Sequence, residues 1–402
     1  MKTKEFSQSQ LRRRFRALDS LYWTSLAGFL ALAVSYVRSQ GITPMQVGLM
    51  LAAFRVASFA GQFFWGTTTD RSQNNRKFVI LMYLLLAGSF LALYFVRSWW
   101  MILLTYTAVG FLQLPLNTNM DTWIIRSFGG ENKSLSDVRG FGCILYAVAL
   151  LLYALFIDRV GFWLMPVSLL ALGAVFLTLV VLTNPKTTAD GVPHKKFNVK
   201  DAARMFRIPG FAWVEAILFF FSAGILTIWI MIAIVYEKVG GTASDVSLNT
   251  FVMVLTEAPG LMLAGKFLAK RDKKLGLLLA IASAFMQELL LFAANSSWLM
   301  LVAAVFGGTS YSFFFASMRS IVQELVPPEL ATTAHGVNDA ICMSCAGCIG
   351  SLFGGAIMQA VSVQEFLLLC MGSELISLVL LVIYHRLSPR LQARREAMKT
   401  EG

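Results

Sequence analysis

Apolar runs of about twenty residues follow one another from Leu18 to Tyr384, broken by short polar stretches. A helix rises about 1.5 Å per residue, so about twenty apolar residues suffice to cross a bilayer core. The pattern predicts twelve membrane-spanning helices, over 17–37, 43–65, 77–96, 99–124, 139–157, 162–183, 210–236, 245–268, 275–294, 297–318, 331–358 and 363–384. The expected fold class is an all-α membrane protein. Most connections are short. The exception is 184–209, which holds Pro185, Pro193 and six basic residues. It reads as a polar linker between two six-helix bundles, 1–183 and 210–402.

Composition agrees. Hydrophobic residues make up 57% of the chain and charged ones 14%, against about 25% charged in a soluble domain. The net charge of +12 raises the question of nucleic acid, and its distribution answers it. With both termini placed in the cytoplasm, 29 of the 34 Lys and Arg fall inside, four fall outside and Arg55 is left in mid-helix. Such an asymmetry is the positive-inside signature. It predicts a multi-pass protein of the inner (plasma) membrane with lipid, not nucleic acid, around it. The basic N-terminus lacks a small-residue cleavage site, so the first helix is expected to be retained.

The five cysteines all lie in apolar runs and imply no disulfide framework. Cys342, Cys345 and Cys348 sit among small residues and read as a helix crossing, not as cluster ligands. No phosphate loop, nucleophile elbow or zinc motif is present. The chain is therefore not expected to be an enzyme, nor to need a cofactor or metal.

Two Gly-led basic segments lie half a chain apart. After span two comes Gly66-x3-Asp70-Arg71 followed by Arg76-Lys77, and after span eight comes Gly265 followed by Lys270-Arg271. Membrane chains of this size built from two repeats are commonly transporters, with the solute site near the midplane. The segment from Gly61 to Lys77 resembles the loop signature of the major facilitator superfamily. That resemblance implies a gating role for Gly66, Asp70, Arg71 and Arg76.

A narrower likeness follows. Asp121 lies in span four, and Arg139-Gly140-Phe141-Gly142-Cys143 with Tyr146 opens span five. This is similar to the lactose permease group, the oligosaccharide:proton symporters; Gly48, Gln62, Gly66 and Asp70 match that group as well. The resemblance implies that Asp121 and Arg139 hydrogen-bond a small polar solute, a sugar or oligosaccharide, and that Tyr146 supplies a stacking face. Ionisable groups inside a span are costly and are commonly paired and functional. That rule also singles out Arg55, which would bind an anionic solute or a protein carboxylate. It singles out four acids as well: Glu257 and Glu288 in spans eight and nine, and Asp339 and Glu374 in spans eleven and twelve. By the likeness, Glu257 faces both solute and proton. The likeness stops at span ten. Where that group carries His and Glu, this chain reads Val305-Phe306-Gly307-Gly308-Thr309. Coupling to a proton, or to sodium, is therefore expected on Glu257, Glu288, Asp339 or Glu374. His335 reads as a cap or packing residue. The expected protein is a monomeric proton-coupled symporter. A nucleoside or aromatic carboxylate is the alternative solute, and a non-transporting nutrient sensor is the alternative of another class.

Overall fold

The computed structural model describes residues 6–72, 74–129, 132–185, 203–327 and 330–400. The linker expected over 184–209 lies largely outside them. Among the described residues, twelve helices are long and apolar enough to cross a membrane. They are α1 (Gln8–Ser39), α2 (Pro44–Ser72), α3 (Asn75–Phe95), α4 (Trp99–Ser127), α5 (Asn132–Val160), α6 (Leu164–Leu182), α7 (Phe211–Glu237), α8 (Ala243–Leu268), α9 (Lys273–Ala293), α10 (Ser297–Leu325), α11 and α12 (Val363–Thr400). α11 is composite: Ala331–Asp339, a π-helical segment Ala340–Ala346, then Gly347–Ala360.

The helix ends depart from the hydropathy pattern where side chains satisfy them. α1 starts at Gln8, earlier than the expected 17. Ser7 Oγ accepts from the Gln10 amide at 3.3 Å, and Gln10 Oε1 accepts from the Ser7 amide at 3.2 Å. This reciprocal box satisfies two orphan donors. The basic residues before span one are thus helical, and Arg16 forks onto Asp137 of α5 at 2.5 and 3.1 Å. α2 runs through the Gly66–Arg71 segment, which is therefore helix and not loop. Thr67, Thr68 and Thr69 donate back to carbonyls of Phe63, Phe64 and Gly66, as hydroxyls in helices do. α12 continues past the expected 384 to Thr400.

The chain forms two compact units, Met1–His194 with Gly241–Phe251, and Lys195–Gly240 with Val252–Gly402. The start of α8 thus belongs with the first unit. Inside that unit α2 lies close along α4. Pro115 has no N–H, so the Phe111 carbonyl four residues earlier loses its helical donor. Gly61 of α2 faces this freed carbonyl so closely that a Cβ there would overlap it. One turn away, Gly110 of α4 faces the Phe54 carbonyl in the same manner. Ser58 Oγ donates to the Gly110 carbonyl at 3.0 Å. In the second unit, Gly308 of α10 meets Thr256 and the Met253 carbonyl of α8. Gly110 and Gly308, like Phe54 and Met253, stand about half a chain apart.

Candidate functional site

Several charged residues of the first unit gather near one end of α1, α4 and α5. Arg139 Nη2 donates to Asp121 Oδ1 and Oδ2 at 2.6 and 2.7 Å, and Nε donates to Oδ1 at 3.1 Å. Asn117, one helical turn before Asp121, accepts from the same Nη2 at 2.6 Å. The guanidinium lies 5.4 Å from the Trp23 ring, and Trp23 meets Tyr146 edge to face at 5.9 Å. The structure therefore brings Asp121, Arg139 and Tyr146 together, as expected from the sequence. The Asp121 and Arg139 side chains are 27% and 23% exposed, so the pair borders open space while holding a fixed fork. Charge-assisted bidentate bonds of this kind are strong and directional.

Sequence reasoning missed a third charge. Asp19 of α1 is 1% exposed, and its Oδ2 has no hydrogen-bond partner among the described residues. It interacts electrostatically with Arg139 and Asp121 and touches Trp23. Gly142 makes room for it, since a Cβ there would overlap Oδ2. Two carboxylates thus share one guanidinium.

The second unit repeats the arrangement with one exchange. Arg319 of α10 donates to both oxygens of Asp339 of α11, each at 3.0 Å, and lies 5.2 Å from the Phe315 ring. Glu215 of α7, 3% exposed, accepts from Asn338 Nδ2 at 3.0 and 3.2 Å. Acid and base have traded helices relative to Asp121 and Arg139, while the buried acid stays on the first helix of each half. Asp339, expected among the proton carriers, is therefore ion-paired. His335, one turn before it, has a buried Nδ1 without a partner among the described residues.

The remaining candidates lie elsewhere. Arg55 stands beside Phe54 and Tyr106, rings that meet at 5.4 Å. Tyr106 is fifteen residues before Asp121 on α4, roughly 22 Å along the axis, so Arg55 is not part of the Asp121 cluster. Arg76 donates to the last carbonyls of α6, Val180 at 3.1 Å and Val181 at 2.6 Å. Arg71 is exposed, and a Cβ on Gly66 would meet nothing within 4 Å. The Asp70 side chain lies outside the described residues. Glu257 of α8 is half-buried, and its main-chain carbonyl accepts from Ser312 Oγ at 2.9 Å. Glu288 and Glu374 are 0% and 1% exposed, and no oxygen of either carboxylate is hydrogen-bonded among the described residues. Among those residues no group of three or more His, Cys, Asp or Glu is placed to hold a metal ion.

Known proteins carry the same plan. The chain is 22% identical over 370 residues to the uncharacterized transporter YwbF of Bacillus subtilis (strain 168), covering 90% of each. Its fold matches the crystal structure of the nucleoside transporter NupG with a TM-score of 0.80 at 14% identity, covering 94% of this chain and 98% of that one. It also matches a bacterial homologue of the human lysosomal transporter Spinster, inward-facing and unoccupied, with a TM-score of 0.71 at 14% identity, covering 97% and 99%. The model of the MFS_1 like family matches residues 17–369. Twelve apolar helices, paired intramembrane charges and this match together identify a multi-pass transporter of the major facilitator fold, a member of the MFS_1 like family.

Proposed function

We propose that this transporter carries a small polar solute, a sugar or oligosaccharide, by proton-coupled symport with alternating access. It would act as a monomer in the inner membrane with both termini cytoplasmic. Its halves would be 1–183 and 210–402, joined by a cytoplasmic linker over 184–209. One observation supports the solute class above the others. Arg139 and Asp121 form a partly exposed fork buttressed by Asn117, with the rings of Trp23 and Tyr146 beside it. Donors and acceptors in a fixed plane match vicinal hydroxyls, and aromatic faces suit the apolar face of a sugar ring. Asp121 and Arg139 would hold the hydroxyls and Tyr146 the ring. Glu257, half-buried on α8, would carry the coupling proton. Gly66, Asp70, Arg71 and Arg76 would form the gate at the end of α2.

A nucleoside is the second reading, because the Trp23–Tyr146 pair offers a base as much surface as a sugar. The position of Arg55 away from the Asp121 cluster removes the main reason to prefer an aromatic carboxylate. The test is counterflow in proteoliposomes against radiolabelled sugars, nucleosides and aromatic acids. Replacing Asp121→Asn should weaken the transported solute about tenfold or more, the worth of one charged hydrogen bond. Counterflow of no polar solute by the wild type, or full affinity in the Asn variant, would sink the assignment.

A further inference from the structure

Glu288 lies in the second half of α9 and Glu374 in α12, and both helices lie against α7. Where they meet α7 stands Gly224. A Cβ built on this glycine would lie 3.1 Å from Glu374 Oε1 and 3.4 Å from Glu288 Oε1. Both oxygens thus converge on one point of the α7 backbone, and the two carboxyl groups are neighbours. The pair is sealed from solvent, and none of its four oxygens is hydrogen-bonded among the described residues. The groups around it are known. The Cys370 carbonyl lies 3.2 Å from the same point, and the Cys370 thiol is the titratable group beside both acids. Gln287 turns away to meet Gly307 of α10. Ser373 and Ser377, flanking Glu374, are committed to the α7 carbonyls of Phe220 and Ile217 at 2.6 and 2.9 Å. Neither acid has an ion-pair partner among the described residues.

We propose that Glu288 and Glu374 form a carboxyl dyad that binds and shares a proton inside the second unit. Two carboxylates side by side in an apolar interior cannot both be ionised, because each repels the other and neither is solvated. A proton between them turns the repulsion into a charge-assisted O–H···O bond and satisfies atoms that otherwise have no partner. A metal ion fits less well. It would call for about six oxygen ligands, and the surroundings offer two carboxylates and one main-chain carbonyl. The missing side chain at Gly224 leaves room for Glu374 Oε1 close to the α7 backbone, with Glu288 Oε1 beside it. The dyad is a property of the protein whatever solute is carried. Its use as a store for the coupling proton rests on the transport reading above.

The proton is the probe. Protein in nanodiscs is titrated with acid, without solute, and the carbonyl stretch of protonated carboxylic acids is followed by infrared difference spectroscopy. The wild type should show a deuterium-sensitive band that titrates in two steps about one pH unit or more apart, as interacting sites do. Taken as the difference from the Glu288→Gln/Glu374→Gln double variant, whose band carries the remaining acids such as Asp19, Glu215 and Glu257, the wild type should show both steps and each single variant one. Should the Gln variants fail to fold, Gly224→Ala decides. Its Cβ would press on Glu374 Oε1, 3.1 Å away, while keeping both acids, and should displace the two steps. A spectrum unchanged by the double variant overturns the dyad, as does a Gly224→Ala spectrum identical to wild type. A band that responds to sodium and not to pH overturns it too. Failed counterflow would sink the transport reading and leave this spectrum untouched.

Discussion

Asp19 shows what a single buried carboxylate demands of its neighbours. Arg139 is occupied by Asp121 and Asn117, so Asp19 is the surplus acid of the cluster. It fits only because residue 142 has no side chain. Gly142→Ala should therefore destabilise the protein by about 1–3 kcal/mol through overpacking. In an Asp19→Ala background most of that cost should vanish, because the overlapping oxygen is gone. Thermal unfolding of the four-member cycle reads the coupling directly, and strictly additive effects would contradict the contact. The sequence hid Asp19 and Glu215 for one reason. Both fall at the expected start of a span, where an acid reads as a helix-end residue favoured by the dipole. Asp121 and Arg139 also stand near expected span ends, and they were legible because the segment from Asp121 to Tyr146 resembles that of the lactose permease group. The convergence of Glu288 and Glu374 was not legible, since it depends on how three helices meet.

At the level of helices, apolar run length sufficed to place all twelve spans, and it failed at their ends. Hydropathy cannot register a capping box, back-bonding threonines or a charged continuation, which is why α1, α2 and α12 extend beyond their apolar stretches. Close approach between helices is set instead by glycine against exposed carbonyl. The α2–α4 contact joins Gly61 to a carbonyl that Pro115 has stripped of its donor. Gly61→Val should abolish monodisperse expression, measured by size-exclusion of a fluorescent fusion. Gly88→Val, at a position where a Cβ meets nothing within 4 Å, should behave as wild type. Equal behaviour of the two would show that the carbonyl contact does not hold α2 to α4.

Across the whole molecule the repeat is written in geometry more than in residue identity. The glycine-to-carbonyl contacts at Gly110 and Gly308 correspond, and so do the buried acids Asp19 and Glu215. The ion pairs Asp121–Arg139 and Arg319–Asp339 correspond with their signs exchanged between helices, so comparison of residue types passes over them. Only the Gly66 and Gly265 segments were visible beforehand. Coupling also belongs to this scale, since it links a proton gradient to solute movement. If Glu257 carries the proton, proteoliposomes bearing Glu257→Gln should still exchange solute across the membrane but lose uphill accumulation; undiminished accumulation would remove Glu257 from that role. The π-helical stretch of α11 bears on the same architecture. In an unbroken α-helix Gly350, eleven residues beyond Asp339, would share its azimuth, because each residue turns the helix by about 100°. The wider winding of Ala340–Ala346 shifts that phase. Asp339 can then point to Arg319 on α10 while Gly350 and Gly354 seat against Thr227 of α7, so one rod serves two neighbours that a straight helix could not reach from these positions.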